Sequence, residues 1–283
     1  MKVALVGVGL IGGSFVLGLR RTMPELYVIG VDRNTDNINK AKELGIIDTS
    51  DTLEKAVESA DCTILAIPVD AIVQVLPKVL NLATADHTVI DFGSTKAAIC
   101  EKVKEHPMRP CFVAAHPIAG TEYSGPTAAF AELFDGKVMI TCDEGLSGEK
   151  QLTTYHRFCE ALRMHMRTMD SKAHDLHLAF VSHLSHISSF ALSKSVLKKE
   201  QSEQRIFDMA GSGFASTVRL AKSSPEMWAP IFAHNKENLL DGLTTYIEEL
   251  EYFKTLVETS DEAAMLDFMK EANKIQDIVD RIA

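Results

Sequence analysis

The segment Gly7-Val8-Gly9-Leu10-Ile11-Gly12 constrains this chain more than any other, because it directly follows a short apolar run, Val3 to Val6, and opens a helical pattern. In a strand-turn-helix unit the first glycine makes the tight turn and the second lets backbone approach a pyrophosphate. The third allows close helix-strand packing, and the helix N-terminus faces the phosphates. The spacing alone is a weak signal, but its context strengthens it. Tyr27 to Val31 reads as a second strand, and Asp32 stands at its end, where a carboxylate accepts hydrogen bonds from ribose hydroxyls. Gly7, Gly9, Leu10, Ile11, Gly12, Asp32 and Arg33 are therefore the candidate cofactor-binding residues. Asp32 repels a 2′-phosphate and favours NAD over NADP. Arg33 pulls the other way, since it offers such a phosphate a cation.

Further β-rich runs follow at Cys62 to Ile67, Thr88 to Asp91, Cys111 to Ala115 and Val138 to Thr141, and helix-length segments separate the first four strands. Met164, Met166 and Met169 read as residues of a core strand. Such alternation implies βαβ crossovers and a mostly parallel sheet covered on both faces. The pattern changes near residue 170. Ser171 to Leu197 contains neither Gly nor Pro and carries apolar residues at three- and four-residue steps, and helical patterns continue through Glu226 to Thr255 and Asp261 to Ile282. The expected architecture is an α/β Rossmann-type doubly wound parallel sheet (1–170) followed by an all-α helical domain (171–283). The two are expected to be joined by a continuous helix. The apolar surface of so small a helical domain suits pairing with a second copy, so a homodimer is expected.

Composition narrows the partners. The net charge of -10 disfavours phosphate backbones and acidic membrane surfaces, so neither nucleic acid nor membrane is an expected partner. An anionic metabolite would then need locally placed Arg, His or helix N-termini. The apolar runs are strand-sized, and Met1-Lys2-Val3 leads straight into one of them, which leaves no room for a signal peptide. Five scattered cysteines without a Cys-x-x-Cys pair read as reduced thiols, and the expected location is cytoplasmic.

A dinucleotide site does not define a reaction. No tyrosine has a lysine four residues on, which removes the short-chain reductases, and neither Gly-x-Ser-x-Gly nor His-Glu-x-x-His occurs. Two segments place polar groups where parallel strands end: Asp91-Phe92-Gly93-Ser94-Thr95-Lys96 and His116-Pro117-Ile118-Ala119-Gly120-Thr121-Glu122. With the glycine-rich turn, and with Ser182-His183-Leu184-Ser185-His186 on the long helix, they closely resemble the prephenate and arogenate dehydrogenases of tyrosine biosynthesis. The likeness spans most of the chain.

The resemblance implies oxidative decarboxylation of prephenate to 4-hydroxyphenylpyruvate, with hydride passing to NAD. His116 is then the base for the substrate hydroxyl, since a neutral imidazole in hydrogen-bond reach is a natural proton acceptor. Ser94 orients the same hydroxyl or the imidazole. Arg219 matches the arginine that holds a substrate carboxylate through a bidentate fork. His186 and Ser182 add contacts from the helical domain, with His186 as a donor to the keto-carboxylate side chain, and Thr121 and Glu122 border and gate the pocket. Ser216 stands where family members often carry an acid, which puts a gating ion pair in doubt. No metal is expected, because aromatisation drives the loss of carbon dioxide.

Plainer readings compete. His116 could be a structural strand-end residue, Ser94 a cap on the next helix through Lys96 and Ala97, and Arg219 a solvated helix residue. His183 and His186 could form half a metal site with His174 or His177. Arogenate or dual cyclohexadienyl specificity is the near rival. A β-hydroxyacid dehydrogenase would need a catalytic lysine that Lys172 and Lys194 do not match, and a non-catalytic NAD sensor would not need Ser94, His116 and Arg219 together.

Overall fold

The computed structural model describes residues 1–280. Eight strands form one sheet: β1 (Lys2–Val6), β2 (Tyr27–Val31), β3 (Thr49–Ser50), β4 (Cys62–Leu65), β5 (Thr88–Asp91), β6 (Phe112–Ile118), β7 (Val138–Cys142) and β8 (His165–Met169). Helices α1 (Leu10–Arg20), α2 (Thr35–Glu43), α3 (Leu53–Ser59), α4 (Val69–Leu82) and α5 (Ala97–Lys102) connect the first six strands, and α6 (Glu149–Ala161) lies between β7 and β8. The strand order is β3-β2-β1-β4-β5-β6-β7-β8. Every pairing is parallel except β6 with β7. The expected Rossmann-type sheet is thus present, and chain direction across it reverses between β1 and β4. Ligands of such sheets bind in the crevice beyond the strand ends at this switch.

The strands are apolar on both faces because helices cover both. Leu5, Ile64, Ile90 and Val113 face a core completed by Phe15, Phe134, Tyr155 and Phe158, whereas Val6, Leu65, Val89 and Phe112 face one completed by α4. The short β3 was not legible from pattern. A two-residue edge strand carries no periodicity, and Thr49 and Ser50 pair only with Ile29 and Gly30.

From Ser171 the chain is helical to Glu200, through α7 (Ser171–Leu178), a π-helical stretch at Ala179–His183 and α8 (Leu184–Glu200). Asp170 caps its start by accepting from the Lys172 and Ala173 amides at 2.9 and 3.1 Å. α9 (Ser212–Thr217), a 3-10 turn at Arg219–Lys222 and α10 (Pro225–His234) follow. Trp228 and Ile231 of α10 enter the same core as Ile72 and Leu76 of α4. This packing explains why residues 1–236 form one compact unit. The second begins at Glu237 and contains most of α11 (Lys236–Thr259), with α12 (Glu262–Ala272) and α13 (Gln276–Val279). Within it Phe268 packs its ring on Phe253, centroids 5.2 Å apart, and Asp261 caps α12 through the Ala264 amide. None of the described helices is long and apolar enough to cross a membrane.

Candidate active site

The glycine-rich turn is shaped by sterics. Gly7 has φ of +93°, and a Cβ there would lie 2.3 Å from the Ala66 carbonyl oxygen; at Gly12 it would lie 2.3 Å from that of Gly7. Both positions exclude a side chain through the fold itself. Gly9 differs, because a Cβ there would meet nothing within 4 Å. Open space beside an N-terminus of α1 that has no side-chain cap is what a diphosphate requires. Asp32 sits beside this turn, its carboxylate accepting from the amides of Val8 at 3.3 Å and Asn34 at 2.8 Å, and Arg33 next to it is exposed. Ser14 faces inward, accepting from the Phe130 amide at 3.0 Å, and ties a later loop to α1.

At the end of β5 a fully buried ion pair forms between Lys96 and Asp91, and the same ammonium donates to the Ala115 carbonyl at 2.7 Å. Lys96 thereby ties the β5 loop to β6, which carries His116. Ser94 lies in this loop, partly exposed. Helix capping is done by another residue: Asp175 on α7 accepts the Lys96 amide at 2.7 Å and the Ala97 amide at 2.9 Å. Register places the two motifs side by side, since Asp91 pairs with Ala114.

His116 is partly exposed, and its Nδ1 lies 2.9 Å from His174 Nε2. His174 is fully buried, with Nδ1 2.8 Å from Asp175 Oδ1. Burial pushes the His116 imidazole well below the usual histidine range, helped by the neighbouring His174, Lys96 and His183. Burial likewise lowers His174, against the opposing pull of Asp175. His116 is thus a neutral imidazole at ordinary pH.

The π-helical stretch widens the helix where Ser182 and His183 lie, a distortion that often marks working sites. His183 is buried near Asn235 Nδ2 at 3.1 Å, and burial pushes it down to about 4. His186 Nδ1 donates to the Ser182 carbonyl at 3.0 Å, so Ser182 contributes its backbone oxygen. The His186 ring stacks on Trp228, and burial with the nearby Arg219 charge lowers its affinity for a proton. A neutral His186 whose Nδ1 is committed offers an acceptor at Nε2 rather than the donor expected for a keto-carboxylate. Arg219 is exposed on the 3-10 turn held against α8 by the Ala221 amide on Ser189 Oγ, 3.0 Å. Ser216 is exposed on α9. Thr121 is exposed beyond β6, accepting from the Tyr123 amide at 3.3 Å, and Glu122 is partly exposed.

Sequence reasoning missed Asp175 and weighed His174 only as a metal ligand. An adjacent His-Asp pair on a helix is invisible as a site until the fold brings it to His116. Among the described residues no three His, Cys, Asp or Glu side chains are grouped to hold a metal ion.

Comparison with known proteins adds a second line of argument. The prephenate dehydrogenase nucleotide-binding domain family matches residues 15–168, and the prephenate dehydrogenase dimerization domain family matches 170–271. The chain is 30% identical to a prephenate dehydrogenase of Bacillus subtilis, over 97% of its own length and 75% of that protein's. A crystal structure of Aquifex aeolicus prephenate dehydrogenase with hydroxyphenyl propionate and NAD+ superposes with a TM-score of 0.87 at 32% identity, covering 99% of this chain and 98% of that one. Synechocystis arogenate dehydrogenase superposes with a TM-score of 0.77 at 27% identity, covering 99% and 100%.

Proposed function

The chain belongs to the prephenate dehydrogenase family, and we propose that it catalyses the NAD-dependent oxidative decarboxylation of prephenate to 4-hydroxyphenylpyruvate. The observation that carries this reading is the placement of His116 near the end of β6, backed by His174 and alongside the strand whose loop carries Ser94. The cradle fits the cofactor: Gly9 leaves open space at the α1 N-terminus, and Asp32 stands ready for the ribose hydroxyls while opposing a 2′-phosphate. When bound, the nicotinamide supplies the acceptor for the substrate's hydride.

The protein's own groups do the rest. His116 accepts the proton of the ring hydroxyl as the C–H bond on the same carbon gives up its hydride, which leaves a ketone. The bond to the ring carboxylate then breaks. Its electron pair becomes a ring double bond while the dienone electrons shift onto the former ketone oxygen, which takes back the proton held by His116, so carbon dioxide and a phenol result. Ser94 orients the hydroxyl, Arg219 forks onto a carboxylate, and His186 with the Ser182 backbone lines the side-chain end. Thr121 and Glu122 border the pocket.

A second reading, arogenate, is favoured by one observation: the acceptor at His186 Nε2 suits an ammonium group better than a keto group. We assign residues 1–170 to the nucleotide-binding domain and 171–283 to the helical one. The exposed Leu240, Ile247, Leu250 and Val257 on α11 support a homodimer. Incubating the enzyme with NAD and each acid in turn, with mass spectrometry of the product, decides between the substrates. An aromatic keto acid from prephenate supports the first reading, and turnover of arogenate alone supports the second.

A further inference from the structure

Asp175 touches both halves of the chemistry. One oxygen takes the Lys96 amide and His174 Nδ1, and the other takes the Ala97 amide, so the same carboxylate anchors the end of the Ser94 loop and the histidine behind His116. The proton inventory along this line has one solution. A carboxylate facing two backbone donors is an acceptor, which makes His174 Nδ1 the donor of the next bond. A neutral imidazole carries one N–H, so His174 Nε2 is an acceptor. Its partner at 2.9 Å, His116 Nδ1, must then carry the hydrogen. In neutral His116 this leaves Nε2 bare.

We infer that His174 and Asp175 are positioning residues that hold neutral His116 in the tautomer presenting an unprotonated Nε2 to the substrate hydroxyl. The inference rests on His116 being the base and adds how that base is prepared. A free imidazole divides itself between two tautomers and many ring orientations, so a buried acceptor behind Nδ1 selects both at once. The charged groups around the ring divide in their effect. Lys96 and any charge on His174 or His183 oppose an imidazolium at His116, while Asp175 and Asp91 favour a proton on His174 behind it.

The test uses the full-length protein labelled with nitrogen-15 in histidine. Long-range proton-nitrogen spectra of the wild type, with His116 assigned by its loss in His116→Asn, should show a protonated Nδ1 and a bare Nε2. The opposite tautomer overturns the inference. In kinetics, His174→Phe should lower kcat by about tenfold to a hundredfold with KM and cofactor affinity held, whereas His174→Gln, whose amide oxygen can accept from Nδ1, should recover most of the loss. If His174→Phe leaves kcat unchanged while His116→Asn abolishes it, the relay is wrong and the base stands. If both keep full rate, the reading of His116 itself fails. Should the Phe variant not fold, the wild-type tautomer and the Gln variant still decide the question.

Discussion

The Trp228 indole lies on the His186 imidazole with ring centroids 3.5 Å apart and planes 27° from parallel. Trp228 also helps to fill the core against α4. The position of one proposed substrate-contacting ring is therefore set by the packing that joins α10 to the sheet unit.

Replacing Trp228 by Leu should raise the KM of the acid substrate roughly two- to tenfold with little change in kcat, the size expected from an aromatic pair of about 0.5–1.5 kcal/mol. Because Trp228 is the chain's single tryptophan, its fluorescence also reports binding at His186 in the unaltered enzyme. A substrate that saturates without changing this emission would place His186 outside the pocket.

Asp32 governs cofactor choice. Asp32→Ala should weaken NAD binding by about tenfold, through lost ribose hydrogen bonds, and narrow the preference over NADP. Isothermal titration with both dinucleotides measures this. Equal weakening toward the two cofactors would remove Asp32 from the discrimination.

Lys96 and Asp91 share a site without solvent. Lys96→Met should cost about 3–5 kcal/mol by leaving a buried carboxylate unpaired, and the double variant with Asp91→Asn should recover part of it. Urea denaturation reads both values. A single variant as stable as the wild type would show that the pair is dispensable for folding.

Acid sensitivity follows from the buried histidines. His183 binds its proton only near pH 4 when folded, against about 6.5 when unfolded, and His116 and His174 shift in the same direction. The unfolded chain takes up protons in that window that the folded chain refuses. Stability is thus retained above pH 6.5 and falls as pH drops toward 4, by up to roughly 3 kcal/mol for His183. Urea midpoints at neutral pH and near pH 5 test this, and a stability that holds or rises on acidification would contradict it. The acid limb of kcat/KM should likewise lie below 6.5, because turnover needs neutral His116.

Much of this was readable in the residues, for identifiable reasons. The glycine turn and Asp32 announce themselves because backbone sterics and a strand end leave little choice of residue. Six strands were evident as apolar runs; the methionines before residue 170, expected in a core strand, fall at or just before β8, which is instead a mostly exposed strand at the sheet edge because only β7 pairs with it. Asp175 was not legible, since it lies 79 residues from the amide it caps and only the packing of α7 on α5 reveals it. The bond that commits His186 Nδ1 was not legible either. Whether an imidazole donates or accepts depends on its second nitrogen, and the Ser182 carbonyl that claims that nitrogen belongs to the backbone.

In the proposed reaction His116 takes the hydroxyl proton as hydride leaves. This step is tested most directly by following the near-ultraviolet absorbance of reduced NAD with prephenate for wild type and His116→Asn, with cofactor affinity measured on the same samples. The expected result is a loss of about a hundredfold or more in kcat with NAD binding intact. A variant that turns over at the wild-type rate would contradict it.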